Sequence, residues 1–158
     1  MSNLPSRTPS LLTRAGTASA LTLAAVGTTL AVPGAAPGAE AATPAKTALR
    51  IAAAKKGAPY VWGAQGPRSF DCSGLSQYAY KHAGKKLPRT AVAQYNRSRH
   101  IPKSQRRYGD LVFFHSGAGV YHVGLYAGKG RIWHAPRPGR SVRLERIWTS
   151  SVWYGRVS

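Results

Sequence analysis

The sequence FDCSGLSQYAYKHAG, residues 70–84, predicts a helix that carries a cysteine in its first turn. The helix is expected to begin near Asp71, with apolar side chains such as Leu75 and Ala79 on one side. A helix N-terminus lowers the pKa of a thiol, because free N–H groups and the helix dipole favour the anion. Cys72 therefore stands where a nucleophilic thiolate is expected.

Cys72 is the only cysteine of the chain, so it has no internal disulfide partner. A free cysteine can also be a small buried hydrophobic residue. Here the neighbours Asp71, Ser73 and Gly74 are polar or small, which favours a sulfur that can be reached from outside. The local sequence thus indicates a nucleophile.

Helical patterns surround this stretch, and strand patterns follow it. Residues 42–46 are expected to form a short linker, and helices are predicted at 47–56, 71–84 and 90–95. Apolar or alternating segments predict strands at 111–114, 122–127, 131–135, 141–145 and 153–157. Helices followed by neighbouring strands predict an α+β fold, with N-terminal helices packed on a central antiparallel sheet.

A thiol nucleophile needs a base, most often histidine, and a third group that orients the base. Of the five histidines, His122 and His134 flank the predicted turn at Gly128. If the hairpin is centred there, the two rings lie directly opposite each other on adjacent strands. With Cys72 they would form a Cys-His-His arrangement; the residues alone also allow two histidines that pack together without a catalytic role.

Residues 1–41 have the composition of a secretory signal peptide. Arg7 and Arg14 precede an apolar, small-residue run, and Ala39-Glu40-Ala41 resembles a cleavage site. We expect cleavage after Ala41 and a secreted, wall-associated protein. The alternative is a membrane anchor, which the threonines within the run disfavour.

Residues 42–158 carry 21 lysines and arginines against three acidic residues, a formal charge of +18. Such a field favours an anionic partner, although it could serve solubility alone. No helix-turn-helix, zinc-finger or RRM pattern is present, so nucleic acid is not the expected partner. For a secreted protein the anionic polymers of a cell wall are the better candidate.

Six segments then occur in a characteristic order: PYVWG at 59–63, FDCSGL at 70–75, LPRT at 87–90 with Gln94, GDLVFF at 109–114, HVGLY at 122–126 and WHAP at 133–136. With them, residues 47–157 resemble the NlpC/P60 family of cysteine peptidases. The resemblance implies a catalytic domain at 47–158 with a variation of the papain-like fold. It also implies cleavage of peptidoglycan stem peptides, typically between γ-D-glutamate and the diamino acid.

The resemblance assigns Cys72 as nucleophile, His122 as general base and His134 as the orienting third member. It implies that Tyr60, Asp71 and Ser73 help to bind the substrate, although Asp71 could serve as a helix cap instead of, or besides, binding an amine. The Cys72 backbone N–H is expected in the oxyanion hole. No cofactor or metal is implied, and a monomer is expected.

Three alternatives stay open at this point. Cys72, His122, His134 and Asp110 could hold zinc, although this spacing is unusual for such a site. The chain could be a non-catalytic basic protein that binds cell walls. The same thioester chemistry could also belong to an amidase or an acyltransferase.

Overall fold

A computed structural model describes residues 42–158, and the signal peptide or anchor predicted at 1–41 lies outside this range. Within it, three helices precede six strands. The helices are α1 (Pro44–Ala54), α2 (Cys72–His82) and α3 (Ala91–Arg97). The strands are β1 (Arg99–Ile101), β2 (Leu111–Ser116), β3 (Gly119–Tyr126), β4 (Arg131–His134), β5 (Arg143–Arg146) and β6 (Val152–Arg156).

Each helix begins at a side chain that caps its first turn: Thr43 for α1, Asp71 for α2 and Thr90 for α3. These oxygens accept hydrogen bonds from backbone N–H groups that have no partner within the helix. Because Thr43 caps α1 and Pro44 follows it, this helix begins three residues before the predicted Thr47. Part of the segment expected to be a linker is therefore helical.

The strands form one antiparallel sheet in the order β1-β6-β2-β3-β4-β5. Strand β1 was not predicted, because its three residues are too few to show alternation. It adds to the edge of the sheet by pairing with β6, so that His100 lies opposite Gly155.

The sheet separates two apolar clusters. The cluster on the helix side includes Leu111, Phe113, Val123 and Leu125, together with Leu75 and Ala79 of α2. The cluster on the other side contains Ile101, Val112, Phe114, Tyr126, Ile132 and Tyr154. Strand β2 is therefore buried on both faces over its first four residues, as its apolar run predicted.

The predicted α+β fold, with helices packed on a central antiparallel sheet, is confirmed. The N-terminus of α2 meets β3 near one end of the sheet, where the candidate site lies. Among the helices of residues 42–158, none has the length and apolar character needed to cross a membrane.

Candidate active site

A cleft of about 480 Å³ brings together Cys72 and both predicted histidines. It is lined by Tyr60, Trp62, Cys72, Tyr121, His122, His134, Pro136, Arg137, Glu145 and Trp148. Of the six residues that the sequence singled out, Asp71 and Ser73 do not line it. They are buried at the start of α2, on either side of Cys72.

Cys72 is the first residue of α2, and the cap next to it is unusually well held. The buried carboxylate of Asp71 accepts hydrogen bonds from the Gly74 N–H at 2.7 Å and the Gly63 N–H at 3.0 Å. Arg89 binds both carboxylate oxygens, and one of its nitrogens also donates to the Ser73 hydroxyl. Burial alone would raise the pKa of Asp71, but Arg89 and the N–H groups hold it below its usual value.

Gln94 of α3 fixes the backbone of the same turn. Its side chain is fully buried, and its nitrogen donates to the carbonyls of Ser73 and Pro88, both at 2.9 Å. Its oxygen accepts from the Ser76 hydroxyl at 2.6 Å. Arg89 and Gln94 belong to the characteristic LPRT segment and the Gln that follows it, a pattern that indicated no task for either. In the structure they hold the Cys72 turn in place.

The two histidines form a hydrogen bond, with 2.8 Å between Nε2 of His122 and Nδ1 of His134. A hairpin centred on Gly128 would place them directly opposite each other, but the structure does not. Strands β3 and β4 pair Leu125 with Trp133, so the hairpin is centred on residue 129. This one-residue shift makes the histidines diagonal neighbours on one face, still within reach of each other.

Glu145 adds a third member to this pair of histidines. The sequence pattern did not predict this role. Its carboxylate lies 2.7 Å from Nε2 of His134, and Arg143 approaches the other oxygen at 3.3 Å. The carboxylate sits on β5 directly opposite Ile132. The three side chains therefore make a continuous chain, His122–His134–Glu145, in the cleft that Cys72 also lines.

Burial favours the neutral forms of Cys72 and His122. It raises the pKa of the Cys72 thiol, although the Val123 N–H acts in the opposite direction. Burial, with the charge of His134, lowers the pKa of His122 to about 3. Desolvation of the thiolate thus acts against the lowering expected from the helix terminus.

A neutral resting pair predicts the pH dependence of the free thiol. We expect the thiolate absorbance near 240 nm to stay low at neutral pH and to rise only above the ordinary range of a cysteine thiol. The Cys72→Ala protein, measured over the same pH series, supplies the baseline. A thiolate signal already complete at about pH 6 would instead indicate a preformed ion pair with His122.

Trp148 covers the histidine pair from the solvent side. Its ring stacks on Phe114 with 4.0 Å between centroids, and lies 5.7 Å from His122 and 5.5 Å from His134. The residue remains 53% exposed. Trp148 thus forms a wall of the cleft and limits access of water to the two rings.

The proposed zinc ligands do not assemble. Asp110 accepts from Arg156 at 2.8 and 2.7 Å and from the Arg107 N–H at 2.6 Å, and it does not line the cleft. Across residues 42–158, no three His, Cys, Asp or Glu side chains are grouped as a metal site requires. This donor set for zinc was therefore wrong.

Comparison with known proteins gives consistent results. Residues 57–157 match the model of the NlpC/P60 family. The chain is 45% identical over 114 residues to the probable endopeptidase p60 of Listeria monocytogenes, covering 68% of this chain and 23% of that one. It is 48% identical over 103 residues to a probable endopeptidase of Corynebacterium glutamicum, covering 63% of this chain and 48% of the other. It therefore spans less than half the length of these relatives.

Among solved structures, the NlpC/p60 domain of the peptidoglycan hydrolase SagA superimposes with a TM-score of 0.65 at 34% identity. The match covers 72% of this chain and 98% of that domain. The peptidoglycan hydrolase RipB of Mycobacterium tuberculosis gives a TM-score of 0.65 at 30% identity, covering 73% of this chain and 65% of that one.

Proposed function

The chain belongs to the NlpC/P60 family, and we propose that it hydrolyses an amide bond of peptidoglycan stem peptides through an acyl-thioester on Cys72. One observation carries the proposal. The only thiol of the chain opens a helix in the same cleft as the hydrogen-bonded chain His122–His134–Glu145.

The proposed mechanism starts from a neutral Cys72 thiol and a neutral His122 imidazole. His122 uses Nε2 to bind His134, so its Nδ1 is the nitrogen that takes the proton from Cys72. The sulfur attacks the amide carbon as this proton leaves, and the carbonyl oxygen becomes an oxyanion. The backbone N–H of Cys72, at the start of α2, has no partner carbonyl within the helix and can stabilise that charge.

Three further proton transfers complete the cycle. The tetrahedral intermediate collapses, the carbon–nitrogen bond breaks, and the amine leaves with the proton that His122 holds. A water molecule then gives a proton to His122 while its oxygen attacks the thioester. Collapse of the second intermediate releases the carboxylic acid and returns the proton to the sulfur.

Three residues near the thiol are proposed to bind the substrate. Tyr60 lines the cleft, and burial together with the neighbouring Cys72 and Asp71 raises the pKa of its hydroxyl, which stays a hydrogen-bond donor. Asp71 and Ser73 are the neighbours of Cys72 in the chain and do not line the cleft. Their polar groups already bind Arg89 and one another. Asp71 would attract a substrate ammonium as a buried negative charge while it continues to cap α2.

We propose that the bond cleaved is the one between γ-D-glutamate and the diamino acid. We also propose that the protein acts outside the cell, after removal of residues 1–41. Digestion of purified peptidoglycan should release fragments that end in a free γ-D-glutamyl carboxylate and fragments that begin with the diamino acid. Mass spectrometry of the new termini identifies the bond.

The same digestion tests the neighbouring chemistries. New termini at the sugar–peptide junction would indicate an amidase, and ligated products in the presence of an added amine would indicate an acyltransferase. Either result would overturn the proposed bond. The protein with Cys72 replaced by alanine provides the blank for non-enzymatic cleavage.

A further inference from the structure

We propose that a basic groove beside strands β1 and β6 binds an anionic wall polymer through its phosphodiester groups. The groove measures about 580 Å³, and five basic residues line it: His100, Lys103, Arg106, Lys129 and Arg146. This inference rests on the proposed function, since it assumes that the protein works at a cell wall.

The charge of this groove is not balanced within the described chain. Residues 42–158 contain three acidic side chains, and none of them lines the groove. Asp71 is bound by Arg89, Asp110 by Arg156, and Glu145 by His134 and Arg143. The cations of the groove therefore attract an anion from outside the described chain.

Two features of the basic residues are energetically unfavourable in the absence of a bound anion. Arg146 lies directly opposite Arg131 across β4 and β5, and like charges in this position repel. The guanidinium of Arg106 lies over Tyr126 and Tyr154, at 5.1 and 5.7 Å from the ring centroids, and its Nε is buried without an acceptor in residues 42–158. A bound polyanion would offset the repulsion between the two arginines.

The aromatic rings of the groove favour a wall polymer over single-stranded nucleic acid. Proteins that bind single strands stack bases on free aromatic faces. Here Tyr95 stacks between His100 and Trp153, at 4.0 and 4.9 Å, and His115 stacks on Trp153 at 3.7 Å. Since these rings already stack on one another, the groove offers charge for phosphates and few faces for bases.

The groove and the catalytic cleft share one segment, residues 145–150. Glu145 and Trp148 line the cleft, whereas Arg146, Ile147 and Thr149 line the groove. A polymer bound in the groove would thus hold the cleft close to the wall that carries the substrate.

Binding to purified walls tests this proposal. The groove variant combines Lys103→Gln, Lys129→Gln and Arg146→Gln, all at exposed positions. The control combines Arg50→Gln, Lys56→Gln and Lys81→Gln, which remove the same charge outside the groove and the cleft. Binding is measured by cosedimentation over a salt series, on walls that retain or lack their phosphodiester polymer. Poly(glycerol phosphate) and an oligonucleotide with as many phosphates serve as soluble competitors.

We expect the groove variant to lose about tenfold or more in affinity for polymer-bearing walls, and the slope of log affinity against log salt to fall by about 2. The control should lose less than about threefold, and the difference should vanish on stripped walls. Equal losses in both variants would overturn the proposal, because net charge would then explain binding. Equal competition by the oligonucleotide would also overturn it.

Turnover of a small soluble stem peptide separates this result from the proposed function. Neither variant changes a residue of the cleft, so both should keep the rate of the unmodified protein. Absence of turnover in the unmodified protein would overturn the proposed function while leaving the binding result intact.

Discussion

Replacing Cys72 with alanine is expected to reduce hydrolysis of peptidoglycan by at least about 10³-fold, to the level of the non-enzymatic background. The loss is large because the thioester cannot form without the sulfur, and the histidine chain then has no proton to take. Release of new termini from purified peptidoglycan, measured as an initial rate, checks this expectation.

We expect the substitution to leave the protein folded, since Cys72 lies at the margin of the helix-side core and is only partly buried. Loss of the sulfur should change the free energy of unfolding by about 1 kcal/mol. Thermal unfolding and binding to walls, which depends on the basic surface, should therefore be nearly the same in the Cys72→Ala protein. A thiol alkylator should inactivate the unmodified protein, whereas a metal chelator should not.

A Cys72→Ala protein that degrades walls as fast as the unmodified one would contradict the proposed chemistry. Its activity would then not depend on the thiol. If the variant keeps a biological effect without cleaving any bond, the alternative of a non-catalytic, basic wall-binding protein would be favoured.

The features of the site that could be predicted are those determined by residues close together in the sequence. Asp71 caps the helix that Cys72 begins, and both facts follow from neighbouring residues. The histidine pair could be placed on adjacent strands, but its register depended on the turn. Lys129 adopts a positive φ of 51°, and the hairpin is centred on it and not on Gly128.

Features that depend on contacts between distant segments could not be predicted. Glu145 meets His134 only because β5 returns beside β4 in one particular register, across a loop whose length does not fix that register. The basic residues of the groove come from β1, the following turn, the β3–β4 turn and the end of β5. The sequence showed the excess of positive charge but not where it is concentrated.

Glu145 is expected to control which nitrogen of His122 carries the proton, and Glu145→Gln should lower kcat by about 10²-fold with little change in KM. The bonds with His134 and Arg143 keep the pKa of Glu145 below its ordinary value, although burial acts in the opposite direction. The group is therefore an ionised carboxylate at neutral pH and can only accept. His134 must then donate from Nε2, which leaves Nδ1 to accept the Nε2–H of His122. Nδ1 of His122 is consequently free of a proton and can act as the base.

A glutamine at position 145 removes this constraint, because its amide nitrogen can donate to Nε2 of His134. The order of protons then reverses, His122 carries its proton on Nδ1, and it cannot deprotonate Cys72. The nitrogen shifts of the histidine rings in ¹⁵N NMR report this reversal directly, apart from any loss of stability. Arg143→Gln is the matched control, since it removes the other partner of Glu145 at 3.3 Å but leaves the carboxylate, and should change kcat less than about threefold. If Glu145→Gln keeps both the original ring shifts and the original kcat, the protons of the two histidines are ordered by another group, and Glu145 has no positioning role.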